Sequence, residues 1–140
     1  MTIPRLKQLS IAGVLAIHKD LLRRYGGRRS GDVDMVKLEL AIIASEMMIR
    51  DPHWKRRARL AAQYAWRILK GRPFAEGNTP MALAALITFL EMNHFPWHAS
   101  EVEETVMVQE AAAGHLSEAA WEEWVLSKMG KQQRAKNYSS

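Results

Sequence analysis

The sequence of 140 residues contains no cysteine, so neither a disulfide nor a thiolate metal site is open to it. That absence suits a reducing compartment. It also contains no apolar run long enough to span a bilayer. The N-terminal stretch IAGVLAIHKD is broken by His18 and Lys19, and no small-residue cleavage pattern follows it. A cytoplasmic protein without a membrane partner is therefore expected. Strand-like alternation of useful length is missing, and so is any internal repeat. The Gly-x-Ser-x-Gly elbow, the Walker phosphate loop and His-Glu-x-x-His are absent too, which removes the sequence signals for serine-hydrolase, P-loop and zincin chemistry. Cations are scarce in one region: residues 81–130 hold a single Lys against 8 Glu, a balance of −7. Residues 1–80 hold 16 Lys/Arg against 7 Asp/Glu, a balance of +9, and the last ten residues add +3. A basic half beside an acidic half suits an acidic partner, or forms two solvated faces with no specific role.

What is present is helical. With 48% hydrophobic and 25% charged residues, the composition is that of one folded domain, placed at 1–130, with a basic flexible tail at 131–140. In a first helix Ile11, Val14, Leu15, His18, Leu21 and Leu22 share one face, Ser10 caps it, and Gly26-Gly27 stops it before the loop RRSGD. A second helix runs from about Asp34 to Ile49, with Val36, Leu40, Ile43 and Met47 assigned inward. Asp51-Pro52 opens a third, whose Leu60, Ala61, Tyr64, Ala65, Ile68 and Leu69 face the core before Gly71. Thr79-Pro80 repeats the cap-then-proline signal and opens an apolar helix at about 80–93. A helix apolar nearly all round belongs at the centre of a bundle. Ser100 and Glu103 form a capping box for a fifth helix that ends at Gly114. Ser117, flanked by Leu116 and Trp121 at hydrophobic-staple spacing, opens a sixth that stops at Gly130. The expectation is an all-α orthogonal bundle of about six helices around the helix at 80–93.

Between the third and fourth helices lies Gly71-Arg72-Pro73-Phe74-Ala75-Glu76-Gly77-Asn78-Thr79-Pro80. A glycine-bearing turn that feeds a helix N-terminus presents backbone N–H groups and favours negative charge, which is the physics of a phosphate cradle. Gly77, Asn78 and Thr79 are the candidate cradle, and Glu76 is the candidate metal ligand. This loop resembles the signature of the Fic/Doc family, His-Pro-Phe-x-Asp/Glu-Gly/Ala-Asn-Lys/Gly-Arg. The segments from Ile17-His18 through Tyr25-Gly26-Gly27, Phe89 through Asn93, and Ala112 through Ser117 are similar to the death-on-curing (Doc) branch in order and spacing. The resemblance covers about residues 10–129 and implies a Fic/Doc-like helical bundle. By that resemblance, Fic proteins move AMP from ATP to a protein hydroxyl, and Doc proteins phosphorylate a translation factor under the control of an antitoxin helix. ATP with Mg²⁺ would then be the cofactor, and an antitoxin-like helix or a translation factor the partner; a loop that binds no nucleotide is the alternative.

The chain departs from the family pattern where the chemistry lies. Arg72 stands at the position of the family histidine, Thr79 at that of the Lys/Gly, and Pro80 at that of the arginine, while Pro73, Phe74, Glu76, Gly77 and Asn78 remain. Arginine keeps its proton at any accessible pH and cannot act as a general base. Loss of a positioned base costs about 10²–10⁴ in rate, and loss of a phosphate-facing arginine about 10³–10⁵. No catalytic set is intact in this reading. Arg72 would sit at the rim of the anion hole or bond a loop carbonyl, and Glu76 would hold a cation or act as a helix-start carboxylate. Phe74 anchors the loop. The expected function is a toxin-family binding or regulatory module with lost or reduced transfer activity. The alternatives are an active transferase with a replacement base such as Glu76, and a basic helical nucleic-acid binder.

The remaining signals are general ones. Trp54-Lys55-Arg56-Arg57-Ala58-Arg59 is the densest basic run, but on a helix it spreads round the cylinder, which argues against a nucleic-acid stripe. His94 and His98 are separated by Pro96, with no acidic ligand at zinc spacing. Trp121 and Trp124 fall at core spacing, and the eight methionines could line a partner groove.

Overall fold

Apolar periodicity and local capping chemistry together set the elements in the computed structural model, which describes residues 6–25, 32–46 and 54–133. Six α-helices occur among them: α1 (Ile11–Tyr25), α2 (Met35–Glu46), α3 (Trp54–Gly71), α4 (Asn78–Met92), α5 (Glu101–Ala112) and α6 (Glu118–Lys128). The only β features among the described residues are two isolated antiparallel bridges, Val33 with Phe74 and Trp97 with Met129. The fold is all-α, as expected. The expected stop at Gly26-Gly27 and the start at Asp51-Pro52 lie outside the described residues.

Capping chemistry matches the sequence at most other ends. The Gly13 N–H donates to Ser10 Oγ at 2.9 Å, and the Lys37 N–H to Asp34 Oδ1 at 3.1 Å, so Ser10 and Asp34 start α1 and α2. Ser100 and Glu103 form the full reciprocal box, and Ser117 Oγ accepts from the Ala120 N–H. At the end of α5, His115 N–H reaches the Glu110 carbonyl and Gly114 N–H the Ala111 carbonyl, with Gly114 at φ 82°. That is a Schellman stop. α4 ends the same way without glycine: His94 takes the left-handed position at φ 60°, and Phe95 N–H bonds the Leu90 carbonyl.

The core is built on α3 and α4. α3 packs against α2, α4, α5 and α6, while α4 touches α1, α3 and α5. Leu60, Tyr64 and Ile68 of α3 and Met81, Leu86 and Phe89 of α4 are fully buried, with Tyr64 edge-on to Phe89 at 5.4 Å between centroids. Aromatic pairs in that geometry are favourable beyond their buried area. Trp121 is also fully buried and donates its indole N–H to the Ala62 carbonyl at 3.0 Å. Trp124 packs against Trp97 and Trp121, so these tryptophans belong to the interior. The N-terminal residues Leu6 and Leu9, unassigned from sequence, are buried too.

Two expectations are corrected. The stripe Val36, Leu40 and Ile43 faces solvent, 67%, 63% and 52% exposed, and α2 buries Leu38, Ala41 and Ile42 instead. α2 carries two apolar stripes, and spacing cannot choose between them. The one centred on small Ala41 lets the helix lie closer to α3 than Leu40 would allow. Met47, the last member of the expected stripe, lies outside the described residues. The second correction concerns α4, which begins at Asn78 with Gly77 as its N-cap, so Thr79-Pro80 is not a cap followed by proline. Pro80 is the third helical residue, where an N–H has no partner inside the helix anyway, so proline is tolerated. Its carbonyl-bonded successor is Met81, whose N–H closes the first turn on the Gly77 carbonyl at 2.9 Å.

Candidate functional site

The loop between α3 and α4 is shaped by three local devices. The first is at the end of α3. Arg72 N–H bonds the Ile68 carbonyl at 3.0 Å, and Arg72 adopts φ 49°, the left-handed region that glycine usually fills at a helix end. Pro73 follows, and the chain turns away with the Arg72 side chain exposed.

The second device is a short backbone pairing. Asp34 N–H donates to the Pro73 carbonyl at 2.7 Å, and Ala75 N–H to the Asp32 carbonyl at 3.0 Å. This antiparallel bridge fastens the segment leading into α2 along the outer edge of the loop. Sequence reading places RRSGD in a loop, starts the second helix at about Asp34 and gives residues 32–34 no part in the site, because three residues are too few to show alternation. Asp32, Val33, Asp34, Arg72, Pro73, Phe74 and Ala75 surround an open depression of about 370 Å³.

The third device is the Asn78 side chain, 3% exposed. Its Oδ1 accepts from the Phe74 N–H at 3.0 Å, and its Nδ2 donates to the Phe74 carbonyl at 2.8 Å. Both ends of the amide are thus used to close a ring over Phe74 through Gly77. Phe74, 3% exposed, lies stacked on the His18 imidazole at 3.8 Å between centroids and 17° between planes. Phe74 anchors the loop, as expected. His18 is 2% exposed, and its Nε2 lies 2.8 Å from the Glu76 carbonyl. A carbonyl only accepts, so the proton is on Nε2 and the imidazole donates. Gly77, at φ 85°, sits directly above: a Cβ there would meet His18 Nε2 at 3.4 Å. A buried histidine on α1 therefore supports the loop from beneath. Its position on the apolar face of the first helix is the available sequence signal, and that signal does not point to the loop.

The candidate cradle residues come together. Gly77 caps α4, and Asn78 and Thr79 are its first two residues. Their N–H groups have no acceptor inside the helix and point out along its axis, toward the positive end of the dipole. Pro80 adds no donor there. The Asn78 amide, committed to Phe74, leaves only that residue's backbone for an incoming anion. Such a donor set suits an anion, with two backbone donors and a left-handed glycine that lets it approach closely; Arg72, the loop's own cation, borders the depression it shares with Asp32 and Asp34. For a divalent cation the loop sequence 71–80 offers the single carboxylate of Glu76. Among the described residues no three His, Asp or Glu side chains gather as a metal site. The candidate positions thus divide: Pro73, Phe74 and Asn78 are buried and hold the loop, while Arg72 and Pro80 are exposed and Glu76 and Gly77 half-buried at the mouth of α4.

Comparison with family models adds a match to the Fic/DOC family over residues 8–90. The match takes in α1, α2, α3, the loop and nearly all of α4. The chain belongs to the Fic/DOC family. No curated protein matches it. The Fic/DOC region thus holds every loop device described above, and α5 and α6 follow it.

The other candidates are placed elsewhere. His94 and His98 lie on the turn after α4, where His98 N–H bonds the Lys128 carbonyl and the His94 carbonyl accepts from Gln133 N–H. The side chains of residues 54–58, most of the basic run, lie outside the described residues; Arg59 pairs with Glu122 at 3.1 Å. Among the described residues no helix is long and apolar enough to cross a membrane.

Proposed function

We propose that this Fic/DOC protein is a Doc-branch member of a toxin–antitoxin type system whose phosphoryl or AMP transfer is lost or strongly reduced, and that it acts in the cytoplasm as a protein-binding or regulatory module. One observation supports the reading above all. The residues that hold the loop's shape are in place and engaged, while the two positions that would carry its chemistry hold Arg72 and Pro80. Asn78, Phe74, Gly77 and His18 interlock. Arg72 is a permanent cation and accepts no proton from an alcohol.

His18, the imidazole that touches this loop, does not substitute for the missing base. It is buried, and its Nε2–H is given to the Glu76 carbonyl, so no substrate hydroxyl reaches that nitrogen without dismantling the loop. When bound, a nucleotide would supply the transferable phosphoryl group. The residues that would hold it are the Asn78 and Thr79 amides and Arg72, with Glu76 as the one carboxylate for Mg²⁺. A binding site without turnover suits a module that presents a surface to an antitoxin-like helix or a translation factor.

The deciding experiment incubates purified protein with labelled ATP, Mg²⁺ and a cell lysate. No transfer of phosphate or AMP is expected. Robust labelling that Glu76→Ala abolishes would overturn the proposal and favour an active transferase with a replacement base. The double substitution Arg72→His with Pro80→Arg tests the scaffold itself. Both native side chains are exposed, so the changes fit sterically. A gain of transfer activity or toxicity is expected, and calorimetry with ATP and Mg²⁺ tells an empty loop from one that binds without turnover.

A further inference from the structure

Beyond the loop, the outer face of α2 carries an exposed apolar stripe. Val36, Leu40 and Ile43 recur at i, i+4 and i+7, the spacing of a helix–helix seam, and all three are more than half exposed. Apolar side chains lined up in this way on a surface mark an interaction site more often than scattered ones do. Beside the stripe, between α2 and α3, runs an open groove of about 540 Å³ bordered by Lys37, Leu40, Trp66, Arg67, Lys70 and Glu118. Three of these carry positive charge: Lys70 Nζ donates to the Ala111 carbonyl at 2.6 Å and lies over the Trp66 ring, which leaves Lys37 and Arg67 for a partner's anions. The lone carboxylate, Glu118, already accepts a hydrogen bond from Gln63 Nε2 at 3.0 Å. The occupant that fits is an apolar ridge flanked by carboxylates.

The chain itself carries such a ridge. Val102 and Val106 stand one turn apart on α5, 73% and 49% exposed. Glu101 and Glu110 flank them on the same exposed side of the helix, which contains no Lys or Arg; Glu110 is engaged by His115 Nδ1 at 3.1 Å, and Glu101 is the carboxylate left for a partner. Within one molecule the two surfaces cannot meet, because α2 and α5 make no contact and pack on α3 independently. We propose that they meet between two copies: the α5 ridge of one protomer lies along the α2 stripe and groove of its partner, and a twofold axis repeats the contact. One such contact between short helices is well below the size of a stable interface, about 800 Å² per partner, and the repeat brings it toward that range. Val102 and Val106 then cover Val36, Leu40 and Ile43, and Glu101 faces Lys37 and Arg67. The opposite charges of the two halves of the chain, +9 and −7 in the segments defined above, become the basis of pairing.

Sedimentation equilibrium of the full chain tests this, from about 1 to 200 µM at low salt and again at about 0.5 M salt, where exposed charge pairs are screened. The expected mass rises with concentration from 16.0 kDa to twice that value, and dissociation is easier at high salt. Leu40→Glu and Val102→Glu, each alone, are expected to raise the dissociation constant at least about thirtyfold with an unchanged helical CD spectrum, since each places a charge twice in an apolar seam. Lys37→Glu is expected to weaken association about three- to tenfold, and adding Glu101→Lys to restore it. A monomer at every concentration overturns the proposal. So does a ladder of larger species, which excludes twofold closure, or a dimer lost in Leu40→Glu but intact in Val102→Glu, which places the stripe against something other than α5.

Discussion

At the scale of single residues, the loop combines a strained entrance with a locked interior. Arg72 at φ 49° holds a conformation that costs an L-residue with a Cβ about 1–2 kcal/mol relative to glycine. Strain of this kind collects where a position is kept for a purpose other than stability. Arg72→Gly is therefore expected to stabilise the fold, by about 0.5–1 kcal/mol once the added freedom of glycine in the unfolded chain is subtracted. Thermal denaturation should show this as a rise of a few degrees, and a fall would mean that the arginine side chain makes a compensating contact. Asn78 is the opposite case. Asn78→Ala leaves the buried N–H and carbonyl of Phe74 without their partners, at about 1–3 kcal/mol for each unsatisfied group. A loss of about 2–4 kcal/mol is expected by denaturant titration, together with faster amide exchange at Phe74. A protected Phe74 amide in that variant would show that Asn78 is not the clamp.

At the scale of elements, the most legible features were those whose cause is local. The Ser100–Glu103 box and the Ser117 cap need only a side chain three residues from a donor, so the sequence displays them directly. The α4 terminus was harder to read, because His94 occupies the place glycine usually marks, and its stop is visible only from φ and hydrogen bonds. The exposed stripe of α2 was misassigned because two apolar stripes compete on one helix, and the choice depends on how closely α3 approaches. The candidate loop was recognisable from its residue types. Its supports were not: Asp32–Asp34 and His18 lie far from it in sequence and reach it only through tertiary folding. The start of α5 also carries a pH dependence. Lys128 Nζ lies 2.6 Å from Glu103 Oε2, and this hydrogen bond, followed by that from the Ser100 N–H, holds the Glu103 carboxyl below its ordinary range. A depressed folded value stabilises the fold above the unfolded pKa of about 4.3, and the contribution is lost as pH falls through the folded value. Melting temperatures of the wild type and Glu103→Gln should differ near neutrality and converge in acid. A gap that persists below the folded value would assign the effect to packing instead of charge.

At the scale of the whole molecule, the two ends of the described chain are tied to one buried residue and its neighbour. Asn93, 2% exposed at the end of α4, accepts from the Lys7 N–H at 2.6 Å and donates to the carbonyls of Lys7 and Phe89, both at 2.9 Å. Its own carbonyl accepts from Gln132 Nε2 at 3.0 Å, and Gln133 N–H bonds the neighbouring His94 carbonyl. Thus the stretch before α1 and the stretch after α6 meet at the end of α4, at the opposite end of that helix from the candidate loop. The N-terminal strap matters to the core because it carries Leu6 and Leu9, and the Leu9 N–H reaches the Tyr64 hydroxyl at 3.3 Å. Asn93→Ala removes three hydrogen bonds and leaves the Lys7 groups to water, since that end of the chain can lift away, so the cost should fall nearer 2 than 4 kcal/mol. The loss should also be local. Hydrogen exchange is expected to accelerate at Lys7 and Leu9, while the Glu76 to Met81 region keeps wild-type protection. Acceleration that spread to the loop would instead mean that α4 transmits disorder along its length, and the strap would then be a structural support of the candidate site.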